Sequence, residues 1–177
     1  TVTFHPDPEI FGEQTHFRAS RLYRMARSKA YLFRGVEIRW QCDAAYLRGD
    51  DKTPQSDTLR FPGGIADFLN ATIAARPTIT DTPFTGAMAA PGNGGKVEWA
   101  ICWSRDQDGF ISSYCNTIPT PQGGSHEGGL RTALARGLRA YGEMTGAKKA
   151  VRITAEDIIG GACAMLSVFV AEPQFQG

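Results

Sequence analysis

The chain has 177 residues and a formal net charge of +1, a length that fits one domain with a core large enough to need no metal or disulfide staple. So small a charge gives no overall pull toward nucleic acid or membrane, and any contact with a polyanion has to come from local clusters of Arg and Lys. Cys42, Cys102, Cys115 and Cys163 show no paired short spacing, which argues against a zinc ribbon or a redox motif, and neither a bilayer-length apolar run nor a signal-type N-terminus is present, the pattern of a cytoplasmic protein.

Thr1-Val2-Thr3-Phe4 opens the chain as an expected strand, which His5-Pro6-Asp7-Pro8 breaks. Leu22, Met25, Ala26, Ala30 and Phe33 then form a helical apolar stripe that ends near Gly35. Val36–Trp40 alternates apolar and charged residues as a half-buried strand does, and Thr58–Phe61 is expected to return beside it after the polar tip Gly49–Pro54. Ile65, Phe68, Leu69 and Ile73 predict a short helix after Gly63-Gly64, and the Pro-, Thr- and Gly-rich stretch from Arg76 to Lys96 predicts loop and one strand. Val97–Trp103 and Phe110–Ile118 read as strands joined by the turn Asp106–Gly109, and an antiparallel pair is expected of them. Cys102 and Cys115, on these two strands, are expected as buried thiols.

Pro119 and Pro121 end that ladder because neither donates a backbone N–H, Gly123-Gly124 lets the chain turn, and Leu130, Ala133, Leu134, Gly137, Leu138 and Tyr141 give the next helix an apolar face. Thr154 with Asp157 predicts a capping box that starts a helix through about Cys163, followed by a strand from Met165 to Val170. Helices and strands in mixed order with an antiparallel hairpin indicate an α+β fold, a sandwich of two layers.

The residues that could carry chemistry each have a plain structural role. The glycine turn before a helix could hold a phosphate, but its spacing fits neither the Walker nor the dinucleotide fingerprint, so Gly123, Gly124, Ser125 and His126 are read as a structural hinge with Ser125 at or near the cap. His126 beside Glu127 invites an acid/base reading; adjacent residues seldom face each other, and a hydrogen-bonded structural histidine is preferred, with no catalytic, cofactor-binding or metal residue assigned. Arg131 leaves the apolar face near the helix start, and Arg21, Arg24 and Arg27 form a basic stripe at successive i, i+3 steps, ordinarily a solvated surface.

Ile118-Pro119-Thr120-Pro121-Gln122-Gly123-Gly124-Ser125-His126-Glu127-Gly128-Gly129-Leu130-Arg131, Thr154–Ile158 and Leu166–Gly177 resemble, in order and spacing, the transducer domain of the B subunits of bacterial type IIA topoisomerases. Weaker likeness at Val2–Asp7 and Lys29–Val36 extends the resemblance over nearly the whole chain, and Tyr114–Thr120 is more similar to the topoisomerase IV branch than to gyrase. The resemblance implies a single transducer domain over 1–177, a ribosomal-protein-S5-domain-2-like fold with a left-handed β-α-β crossover, and a part in an ATP-dependent enzyme that passes one DNA duplex through another. It further implies that Arg131 faces a cavity that DNA traverses; the stripe Arg21, Arg24 and Arg27, if it bordered the same cavity, would add sequence-independent phosphate contacts, a reading ranked below a solvated surface. The implied partners are the ATPase domain of the same polypeptide, a second B subunit, the A subunit of topoisomerase IV, and DNA, with no membrane. ATP and magnesium are then held elsewhere in the holoenzyme. The chain, opening without Met and closing on Gly177, has the look of an excised piece that lacks the ATPase domain and the following Gln-Thr-Lys loop, and is expected to be inactive by itself. A transducer of the gyrase B subunit and a free-standing nucleic-acid-binding module are the alternatives; a small hydrolase built on His126 and Glu127 is the least favoured.

Overall fold

Strand pairing is local in the first third of the chain and long-range in the rest. The computed structural model of the chain describes residues 1–13, 16–47, 52–89, 94–147, 149 and 152–175. Its contacts divide into two units, Thr1–Phe61 and Pro62–Gly177, where length alone leads to one domain, because the hairpin of the first unit closes on itself and leaves the large sheet to the second.

In the first unit the expected opening strand does not form: residues 1–7 join no ladder among the described residues, and Val2 and Phe4 are each 80% exposed. A β-prone tetrad without a partner strand leaves its backbone to water. Asp7 instead caps the single turn α1 (Pro8–Phe11), accepting from the Glu9 N–H at 2.9 Å. The helix α2 (Ala19–Leu32) packs on an antiparallel hairpin of β1 (Ile38–Gln41) and β2 (Ser56–Leu59), with Ile38 opposite Leu59. The return strand thus starts and ends two residues earlier than its sequence pattern suggests. Tyr23 meets Trp40 with ring centroids 5.5 Å apart and donates its hydroxyl to Asp57 at 2.5 Å, while Tyr31 stacks on Phe61 at 3.6 Å. Two four-residue strands cannot cover a fourteen-residue helix. Ala30, Tyr31 and Leu32 are buried, whereas Met25 and Phe33, assigned to the apolar stripe, are exposed. Of the polar tip, residues 49–51 lie outside the described residues, as do Gln176 and Gly177 at the other end.

The second unit contains α3 (Ile65–Ile73), β3 (Phe84–Ala89), β4 (Lys96–Trp103), β5 (Phe110–Cys115), β6 (Ile118–Pro119), α4 (Ser125–Met144), α5 (Ala155–Ile159) and β7 (Ala162–Phe169). Its sheet has the order β3-β4-β7-β5-β6. The last strand is therefore central, antiparallel to β4 and parallel to β5, and its near-continuous apolar run Ala162–Leu166 is buried throughout, as a strand covered on both faces must be. The expected direct pairing of the 97–103 and 110–118 strands fails because β7 inserts between them. The connection crosses β7 at its start, where Ser104 N–H donates to the Gly161 carbonyl at 2.8 Å and Gly109 N–H to that of Gly160 at 3.1 Å. Only glycine passes there: a Cβ on residue 109 would lie 2.6 Å from the Ala162 carbonyl oxygen. The second strand also ends at Cys115 rather than Ile118, and the Thr154 helix ends at Ile159, which places Cys163 in β7. The capping box itself forms in full, with Thr154 accepting from Asp157 N–H and the Asp157 carboxylate accepting from Thr154 N–H at 2.8 Å.

Helices cover both faces of this sheet. Leu130 and Leu134 of α4 pack on Ile101, Ala162 and Ala164, and Ala135 packs with Ile158 and Ile159 of α5 against Trp103 and Ile111. On the opposite face, by strand alternation, α3 lies against β4 and β7 with Ile65, Leu69 and Ile73 buried and Phe68 6.0 Å from the Tyr114 ring. The fold is mixed α and β as the element order indicates, but this unit is helix, sheet and helix rather than two layers. Cys102 stands opposite Cys163, not beside Cys115. All four cysteines are free, and burial, with a smaller contribution from Cys163, pushes the Cys102 thiol up to about 11.

Leu69→Ala, removing a side chain with no exposed surface, is expected to cost ~2–5 kcal/mol in urea unfolding. Ellman titration of the folded chain at pH 8 is expected to label Cys42 alone at a measurable rate. Cys115 and Cys163 are shielded by burial and Cys102 also by a pKa near 11, which leaves it almost no thiolate at that pH, so all three react only on unfolding.

Candidate functional site: the junction of β5, β6 and α4

A chain leaving β5 has to reverse, run two residues along the sheet edge and then start the crossover helix. The reversal is made by Asn116 and Thr117, both with positive φ, 47° and 66°, the twist that a two-residue hairpin turn requires. Asn116 suits it doubly. Its amide donates to the Val170 carbonyl and accepts from Val170 N–H, both at 2.9 Å, clamping the turn to the end of β7. Pro119 is tolerated because β6 is an edge strand. Gly123, at φ 75°, turns the chain into α4 and donates its N–H to Thr120 at 2.9 Å. Gly124 is the N-cap and Ser125 the first helical residue.

Behind this turn four side chains form one hydrogen-bonded chain. Ser113, only 4% exposed, donates its hydroxyl to the Glu127 carboxylate at 2.5 Å. Its oxygen lies 2.6 Å from Thr120 Oγ1, which lies 3.1 Å from His126 Nε2. Each hydroxyl has one proton. With Ser113 donating to Glu127, Thr120 donates to Ser113 and accepts from His126, so the histidine carries a proton on Nε2. His126 and Glu127 are thus joined through two hydroxyls and not directly to each other. The outer Glu127 oxygen lies 4.0 Å from Arg131 Nη2, one turn along α4, whose side chain is 42% exposed.

The residues at this helix start do not suit a nucleotide phosphate. Glu127 already sets its carboxylate over the turn, 3.2 Å from the position of a Cβ on Gly123, where it complements the helix dipole and would repel a second anion. Among the described residues no group of three or more His, Cys, Asp or Glu could hold a metal ion, and none of their helices is long and apolar enough to cross a membrane.

Of the four arginines singled out in the sequence, Arg131 is the one on α4, beside Glu127. Arg21, Arg24 and Arg27 are exposed on α2 of the first unit. Arg24 Nε donates to the Ser20 carbonyl at 3.3 Å, and Arg27 reaches the Tyr31 hydroxyl at 3.4 Å with its guanidinium 5.8 Å from the ring. The Ser113–Thr120 link and the Asn116 clamp escape a reading of the sequence. The second left a trace, an Asn where a strand of aromatic and β-branched residues had to turn. The helical apolar face is also only half used: Leu130 and Leu134 pack on the sheet, whereas Leu138 and Tyr141 are exposed.

Comparison with known proteins fits this geometry. The family model described as DNA gyrase B matches residues 64–177, and the chain belongs to that family. It is 52% identical over 180 residues to the B subunit of DNA topoisomerase 4 from Caulobacter vibrioides and 48% identical over 178 residues to the protein of the same name from Rickettsia bellii. These alignments cover 99% and 100% of this chain but 26% of each relative, so the chain spans about a quarter of the length of the curated relatives it matches. Among solved structures, the 43K ATPase domain of Thermus thermophilus gyrase B, in complex with an aminocoumarin, has a TM-score of 0.77 at 29% identity, over 97% of this chain and 44% of that one.

Ser113→Ala leaves the Glu127 carboxylate, 15% exposed, without its donor and is expected to destabilise the chain by ~1–3 kcal/mol in denaturant unfolding. Ser113→Thr, which keeps the hydroxyl, is expected to recover part of that loss.

Proposed function

We propose that residues 1–177 act together as the transducer domain of a B subunit of topoisomerase IV, relaying the nucleotide state of a neighbouring ATPase domain to the gate through which DNA passes. The reading is supported by the identity to proteins named as the B subunit of DNA topoisomerase 4, and it assigns the second unit the ribosomal-protein-S5-domain-2-like fold with a left-handed β5–α4–β7 crossover. ATP and magnesium are bound by the ATPase domain, and no nucleotide step is assigned to the residues described above. The partners are that domain, a second B subunit, DNA and the topoisomerase IV A subunit.

What this chain contributes is mechanical and electrostatic. The observation that carries it is the rooted arginine: Ser113 of the sheet holds Glu127, and Glu127 faces Arg131 on the next turn. A movement of the sheet is thereby delivered to the start of α4 and to a half-exposed cation. Arg131 then makes a sequence-independent contact with a DNA phosphate, with Arg21, Arg24 and Arg27 adding weaker ones. Gly123, Gly124, Ser125 and His126 form the bend that sets the angle between sheet edge and helix. A change of nucleotide state biases the position of this rigid body through contacts that differ between the two states.

In the full-length protein, assembled with the A subunit, Arg131→Gln is expected to lower DNA-stimulated ATP hydrolysis and strand passage by on the order of tenfold, the equivalent of one charge-assisted hydrogen bond. The slope of log affinity against log salt falls by about one, while hydrolysis without DNA is kept. An unchanged salt slope together with unchanged DNA stimulation, or DNA-stimulated hydrolysis by residues 1–177 alone, overturns this division of labour.

A further inference from the structure

Arg131 combines two properties that seldom occur together. Its guanidinium lies 4.0 Å from the Glu127 carboxylate, near enough for the charges to act on each other and too far for a hydrogen bond, and among the described residues it donates no hydrogen bond elsewhere. The separation has a visible cause. Ser113, on β5, holds Oε1 of that carboxylate at 2.5 Å, which leaves Oε2 to face the arginine. Meeting the guanidinium with both oxygens, the geometry in which arginine and carboxylate bind most strongly, requires the carboxylate to leave Ser113. Nor is this an ordinary surface pair. The Glu127 side chain is 15% exposed and that of Arg131 42%, so the negative charge is little screened by water while the positive one is open to a ligand.

We infer that Glu127 is a positioning residue that weakens the contact of Arg131 with a DNA phosphate, so that a duplex is gripped lightly and let go. The inference rests on the phosphate-contact reading of Arg131 proposed above and adds the regulation of that same site. A phosphate that takes the free donors of Arg131 comes close to a fixed negative charge. At that range, well inside the ~8 Å over which physiological salt screens, the two anions repel each other. Because Ser113 restrains the carboxylate, it neither swings away from the incoming anion nor closes on the arginine to occupy its donors. The arginine is thus kept available while its grip is kept weak. A duplex that has to pass and not remain needs such a contact, since tighter binding acts mostly by lengthening residence. The simpler role for an acid in the first turn of a helix is to complement the helix dipole. That role gives Glu127 an effect on stability and none on how Arg131 meets DNA.

A double-mutant cycle in the full-length polypeptide, assembled with the topoisomerase IV A subunit and titrated with a linear DNA duplex, separates the two roles. Glu127→Gln removes the charge and keeps an oxygen to accept from Ser113. It is expected to tighten duplex binding by about 3–10-fold, the effect of a pairwise coupling of ordinary size, with the change in the dissociation rate. In an Arg131→Gln background the same substitution is expected to leave affinity unchanged. Unchanged or weaker binding by Glu127→Gln, or a tightening of equal size with and without Arg131, overturns the inference and leaves Arg131 as a DNA contact. If Arg131→Gln alone alters neither the salt slope nor DNA stimulation, the phosphate-contact reading itself fails and this inference falls with it.

Discussion

The structure of the second unit depends on one constraint, the burial of β7 between β4 and β5. A strand from the end of the chain that lies parallel to β5 cannot be reached by a tight turn, so the chain has to leave the sheet, cross a face and return. That requirement is met by the segment that contains α4 and α5. It also explains why the two connections at opposite ends of β5 are so closely fitted. At one end Gly109 passes against the start of β7, and at the other Asn116 clamps the chain to Val170 just past its finish. Both loops are tied to the backbone of β7.

The same constraint gives the polar chain its place. Ser113 projects from the sheet face on which α4 packs, close to the edge where that helix begins. A buried hydroxyl there must find partners. Glu127, Thr120 and His126 supply them in one continuous sequence of contacts, His126 to Thr120 to Ser113 to Glu127. A network of this kind contributes to uniqueness more than to net stability, since its groups exchange hydrogen bonds with water for hydrogen bonds with one another. Its effect is to choose one angle between the sheet edge and the helix.

Much of the architecture is legible in the residues. The period of three and four in α2, α3 and α4, the alternation in β1 and the Thr154–Asp157 box each mark an element that forms. The hydrogen-bonded role of Ser113 is not legible, because a serine in an aromatic strand gives no sign of which face it will point to or what will arrive there. Strand order is hidden for a related reason. Asp106–Gly109 reads as a turn between neighbours, and a turn is a local object; nothing in it reports that β7, from residues more than fifty positions later, will take the place between the strands it joins. The layers are misjudged with it, since a central strand buried on both faces needs a helix on each. The length of a helix stripe likewise overstates packing. Met25 in α2 and Tyr141 in α4 keep the period but outrun the surface available to cover them.

The exposed stretch of α4 bears on how the junction can act. This helix is held at its first turn by Glu127, in its middle by Ala135 against Ile158 and Ile159, and farther on by Arg139, whose Nε donates to the Ile153 carbonyl at 2.8 Å. Beyond that point its apolar side is open. A rod fixed over its first two-thirds moves with the sheet. The basic residue at its start would then respond to the same displacement. Coupling between the sheet and that residue needs no chain of small rearrangements through the core, only a junction stiff enough that the helix does not turn about Gly123 by itself. The part-buried Ser113–Glu127 bond and the reciprocal Asn116–Val170 pair serve that condition, because pivoting the helix breaks a charge-assisted hydrogen bond at its first turn and strains a turn tied to the end of β7.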